Sequence, residues 1–113
     1  MARADVLRVA LPSPGGSHEQ AGRRPAIAVQ ADTKGIHLPT LMIVPVTGEL
    51  SALRFPYTIR VEPSKANGLT MPSVLLVFQL RAIDNARIID TIGRLEQEYV
   101  EKLDAEMRRL LNL

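Results

Sequence analysis

Three stretches of the chain are short and almost continuously apolar. Arg24 to Ala31 reads RPAIAVQA, Thr40 to Thr47 reads TLMIVPVT, and Ser73 to Leu80 reads SVLLVFQL. Runs of this length, rich in strand formers and fenced by turn residues, predict buried strands. Pro25 opens its run, where no ladder donor is required, whereas Pro45 lies inside its run and predicts a bulge or an unpaired edge there. Gly48 ends that run and leaves Thr47 at the tip of the strand. Asp5–Leu11 (DVLRVAL), Tyr57–Val61 (YTIRV) and Ile88–Leu95 (IIDTIGRL) also have strand composition. From Glu96 the period changes. Val100, Leu103, Met107 and Leu110 share one face of a helix. Glu96, Glu98 and Glu101 lie at its start and Arg108 and Arg109 at its end, as the helix dipole favours. Glu98–Lys102 and Asp104–Arg108 have the spacing of supporting ion pairs.

The connections are equally legible. Pro12–Gly16 (PSPGG) is a loop, Asp32–Pro39 is turn-rich, and Glu62–Pro72 contains Asn67-Gly68, a strong turn dipeptide. Glu49–Phe55 reads as a mobile loop. Arg81–Ala86 reads as a lead-in to the strand that follows. Five or six short strands and one C-terminal helix predict a small mainly β (α+β) fold, a strongly bent sheet or partly open barrel capped by the helix. One domain spanning 1–113 is the default at this length. A single helix is too small to cover three apolar strands, which predicts pairing with a second copy.

Composition sharpens this picture in two places. Aromatic residues make up 4% of the chain and Trp is absent, so the core must be aliphatic. There are no cysteines, which removes disulfides and thiolate metal sites and fits a reducing cytosol. The N-terminus has no secretory pattern, and no apolar run approaches the roughly 20 residues of a membrane span. The net charge of +2 is small, but its distribution is uneven. Residues 1–60 carry seven basic and four acidic side chains, residues 61–113 seven and eight. A locally positive N-terminal half would attract a polyanion.

Candidate chemistry concentrates in Ser17–Ala31 (SHEQAGRRPAIAVQA), a polar loop feeding a buried strand. Such a loop delivers His18, Glu19, Gln20, Arg23 and Arg24 to the rim of a rigid sheet. An arginine at this position suits phosphate, since its planar fork matches phosphate oxygens. No His/Asp/Glu cluster has metal-ligand spacing, so neither metal nor other cofactor is expected. His37 lies in a separate loop and reads as surface.

The order and spacing of HEQAGRRPAIAVQ, of the strand ending PVT at Thr47, and of QLRAID at Gln79–Asp84 resemble MazF/PemK-type toxins. The resemblance runs from about Ala4 to the final helix. It implies an SH3-like, partly open β-barrel with a C-terminal helix, assembled as a homodimer in the bacterial cytoplasm. It also implies a metal-independent endoribonuclease acting on single-stranded RNA and restrained by a cognate antitoxin. By this resemblance Arg24 and Thr47 are catalytic, and His18 exchanges a proton near neutral pH. Glu19, Gln20, Ser73, Gln79 and Arg81 match the lining of the RNA groove, and Arg23 adds charge. The Glu49–Phe55 loop is the candidate gate. Two departures stand out. Ala4-Asp5 and Arg8 replace the usual Gly-Asp step and the aromatic residue after it. Phe78 replaces an acidic residue that serves as proton acceptor in some relatives. That duty then passes to His18, Glu19 or water, while an aromatic ring suits stacking on a base. The same barrel also occurs in gyrase-inhibiting toxins of the CcdB type, which sets a non-nuclease binding module as the alternative.

Overall fold

Strand-forming residues alternate between two apolar surfaces, and this alternation organises the whole architecture. The computed structural model describes residues 2–11, 22–32 and 34–113. Its elements run β1 (Asp5–Leu11), β2 (Gly22–Ala28), β3 (Thr40–Thr47), β4 (Thr58–Val61), β5 (Ser73–Leu76), β6 (Arg81–Asp84), β7 (Ile88–Arg94) and α1 (Gln97–Leu111). All recorded pairings are antiparallel. The strand order is β4-β5-β3-β2-β1-β7, with β6 also on β3. Among the described residues, seven strands therefore stand where five or six were expected.

β3 is the hub. Its first half, Thr40–Ile43, pairs with β6, and its last two residues, Val46 and Thr47, pair with β5. Pro45 falls between these two ladders, so its missing N–H interrupts neither. The sequence expectation for Pro45 is met in this form. Arg81–Asp84, read from sequence as a lead-in, is the strand that fills the first half of that edge. Ser73–Leu80 is not one strand. β5 ends at Leu76, and Val77–Gln79 forms a 3₁₀ turn that carries the chain round to β6. β2 also starts and stops earlier than Arg24–Ala31 suggested.

One apolar cluster lies inside the bend. It includes Val6, Ile27, Val44, Val46, Leu75 and Leu103. A second, on the opposite surface of the sheet, contains Leu7, Val9, Leu11, Ala26, Ala28, Ile43 and Ile83. Cross-strand register explains the division. Val6 faces Ile27, and Leu7 faces Ala26, so each pair contributes to one surface. The apolar strands are thus buried within one chain, and the argument for a second copy from uncovered strands does not hold. Large exposed apolar side chains instead include Leu50, Leu53 and Met71.

The two outer strands are drawn together by the β4–β5 turn. Gly68 adopts φ 72°, and the Arg94 amide of β7 donates to the Ala66 carbonyl at 2.7 Å. Asn67 is fully buried at the junction. Its amide nitrogen donates to the Glu62 carbonyl and to the Glu96 carboxylate, and its oxygen accepts from the amides of Ser64 and Leu69. The sheet stays open, since β4 and β7 do not pair, yet it is latched. α1 packs against β4 and the Val77–Gln79 turn, with Val100 and Leu103 buried. Asp104 pairs with Arg3 from the N-terminal segment instead of with Arg108. Asn112, in the left-handed region, caps the helix end.

Candidate functional site

The β2–β3 ladder ends at Ala26 opposite Pro45. Continuing that register by two residues sets Arg24 opposite Thr47. The strands stop pairing before that point, and a cleft of about 270 Å³ opens there. Arg24, Thr47, Ser73 and Arg8 all line it, with Gly68, Leu69 and Ile92 from the turn and β7. Register places Arg24 and Thr47 on one surface of the sheet and Arg8 and Pro25 on the other. The cleft sits where β2 and β3 part beyond the end of their ladder, and residues from both surfaces line it. Its only charged lining residues, among the described ones, are Arg8 and Arg24.

Thr47 is 3% exposed, and its hydroxyl oxygen accepts the Glu49 amide at 3.1 Å. That bond fixes the rotamer and leaves the hydroxyl proton to be donated. Ser73 is equally buried, but its hydroxyl already donates to the Met71 carbonyl at 2.9 Å. It therefore shapes the turn beneath the cleft. Met71 is half-exposed over Gly48, where an added Cβ would sit 2.5 Å from its sulfur.

The other expected groove residues gather elsewhere. Phe78, Gln79 and Arg81 line a separate cavity of about 510 Å³. Phe78 is half-buried and tilts against Phe55, with ring centroids 5.3 Å apart, and the Arg54 guanidinium lies 4.3 Å from the Phe55 ring. The segment Glu49–Phe55 is no plain loop. Leu50–Arg54 is a 3₁₀ helix whose Ala52 is buried with Val74 and Leu76. Arg23 is exposed opposite Ala10, outside the cleft. His18, Glu19 and Gln20 lie outside the described residues; Leu11 and Gly22, which flank their segment, are paired with each other.

Arg8 went unrecognised as a cleft residue in the sequence, where it entered only as a departure from the family pattern. The signal that would have found it is its alternation with Val6, which puts both on one surface of the sheet. His37 is exposed, as expected, beside another cavity. Among the described residues, no group of three or more His, Asp or Glu side chains is arranged to hold a metal. No helix among them is long and apolar enough to cross a membrane.

A latched, open antiparallel barrel with a C-terminal helix and an arginine-lined cleft where β2 and β3 part defines the class. Comparisons with known proteins agree. A sequence profile of PemK-like, MazF-like toxins of type II toxin–antitoxin systems matches residues 2–111. Endoribonuclease EndoA from Bacillus subtilis (strain 168) is 32% identical over 111 residues, spanning 98% of this chain and 94% of EndoA. The chain belongs to the PemK/MazF toxin family. Crystalline MazF from Deinococcus radiodurans superposes with a TM-score of 0.80 at 19% identity, covering 100% of this chain and 97% of that one. A mycobacterial endoribonuclease solved with its cognate antitoxin gives 0.74 at 18% identity, covering 100% and 96%. At these identities the two structures bear on the fold.

Proposed function

We propose that this protein is a metal-independent, sequence-selective endoribonuclease toxin that cuts single-stranded RNA, chiefly messages. The observation that carries this is the meeting of Arg24 and Thr47 in one cleft at the open end of the β2–β3 ladder. The ribose 2′-hydroxyl attacks the adjacent phosphorus. The bond to the 5′-oxygen breaks, leaving a 2′,3′-cyclic phosphate and a 5′-hydroxyl. Arg24 offsets charge on the phosphate oxygens, and Thr47 donates its hydroxyl proton to one of them as a hydrogen bond. His18, Glu19 or a water takes the proton from the 2′-hydroxyl, and an acid returns one to the leaving oxygen. Phe78 has no proton to exchange, and its packing against Phe55 supports a structural part for it. DNA lacks the 2′-hydroxyl and is not cut.

The active species is a homodimer with one Arg24/Thr47 site per copy. Its partner is a cognate antitoxin whose acidic, partly apolar tail occupies the cleft and orders on binding. EndoA's name and the mycobacterial complex support these assignments by analogy. The test is incubation of purified protein with a long single-stranded RNA in EDTA, followed by mapping of the ends. Discrete cuts with 5′-hydroxyl ends, abolished in Arg24→Ala, are expected. Intact RNA together with inhibited gyrase would overturn the nuclease assignment in favour of a CcdB-type binding protein.

A further inference from the structure

We infer that Arg8 is a second phosphate-binding residue of the cleft, gripping the phosphate next to the scissile one. The inference rests on the RNA-cleaving function proposed above. Three features converge on this residue. First, Arg8 lines the same cleft as Arg24 and Thr47, and no acidic side chain shares that lining among the described residues. Second, register puts Arg8 and Arg24 on opposite surfaces of the sheet, so their side chains leave the backbone in opposite directions although both residues line the cleft. Two charges directed apart suit successive phosphates of one strand better than two oxygens of the same phosphate.

Third, the β1–β7 ladder is irregular on both sides of Arg8. Its register shifts between Val6 and Leu7 and again between Arg8 and Val9. The extra residues, Ile92 and Ile89, lie on β7, so the bulges twist β7 locally against an unbroken β1. Between them Arg8 stays opposite Asp90, whose carboxylate lies 3.4 Å from the guanidinium Nε. Both side chains are about half exposed (49% and 50%), so the pair is weak and readily exchanged. Asp90 holds the guanidinium near the cleft in the free protein and competes with phosphate for it.

The test is the salt dependence of binding, measured by fluorescence anisotropy. The probe is a labelled single-stranded oligonucleotide carrying the preferred cleavage sequence with a 2′-deoxyribose at the cut position. Each phosphate contact on a single strand adds about 0.7 to the slope of log K against log salt. Arg8→Ala is expected to lower the slope by about that amount and to weaken binding several-fold at low salt. Arg8→Lys should keep the slope, because the contact is electrostatic. Asp90→Asn should tighten binding by removing the competing carboxylate. On the cleavable RNA, Arg8→Ala should raise KM and leave kcat nearly unchanged. Thermal unfolding of each variant separates these effects from loss of fold. A wild-type protein that binds and cuts RNA, with affinity and slope unaltered in Arg8→Ala, would overturn the Arg8 assignment alone. Wild-type protein that binds no RNA would overturn the proposed function as well.

Discussion

Thr47 does two jobs with one hydroxyl. The oxygen accepts the Glu49 amide, and in the proposed mechanism the proton goes to a phosphate. Thr47→Val keeps the shape and removes both bonds. We expect cleavage to slow by about 100-fold, the cost of one lost transition-state donor. Stability should fall by about 1 kcal/mol for the stranded amide. Steady-state kinetics and urea denaturation read the two effects separately. Thr47→Ser should restore most of the rate. Phe78 is the opposite case. Its ring meets Phe55 and lies over the Ala52 cluster. Phe78→Ala should cost about 1–2 kcal/mol in denaturation, below the full-burial value because the ring is half exposed. The same variant should retain the cleavage pattern of the wild type. In the sequence, Arg24 and Thr47 were legible only through resemblance to a family. Nothing in the strand pattern says that two residues from adjacent strands share a cleft where a ladder ends. Ser73 matched the groove equally well, yet its donor is spent on Met71, a local contact that sequence spacing does not reveal.

At the level of elements, hydrophobic periodicity did most of the work. Asp5–Leu11 and Thr40–Thr47 appear with the bounds that their apolar runs implied. The helix face at Val100, Leu103, Met107 and Leu110 packs on the inner core as expected. The failures share a cause. Val77–Gln79 is as apolar as a strand, and Arg81–Asp84 is as polar as a loop. Their conformations are set by β3, which needs a partner along its first half and leaves a gap at Pro45. That is a tertiary demand, and it overrides local propensity. Glycines in β7 and in the β2–β3 connection offer a clean check on packing. A Cβ on Gly93 would lie 2.4 Å from the Asn67 carbonyl carbon, while one on Gly35 meets nothing within 4 Å. Gly93→Ala should therefore destabilise by about 3 kcal/mol through overlap with backbone. Gly35→Ala should cost about 1 kcal/mol, from its φ of 76° alone. Chemical denaturation of the two variants side by side tests the difference.

For the molecule as a whole, closure depends on a few polar groups. The bent sheet is held by the Arg94–Ala66 amide bond and by the four side-chain bonds of Asn67. Asn67-Gly68 announced a turn in the sequence. That the turn would reach across to β7 was not legible, because the reach depends on sheet curvature, which accumulates over several strands. Asn67→Ala leaves buried partners unsatisfied and should cost about 3 kcal/mol or more, measured by urea denaturation.

Gly68 and Leu69 belong both to this latch and to the floor of the cleft. If the proposed site is correct, catalytic competence should therefore depend on closure of the barrel. Urea or mild heat that loosens the turn should silence cleavage before the far-ultraviolet signal of the sheet declines, and dilution should bring both back together. A toxin wired in this way is disarmed by local opening long before it is destroyed.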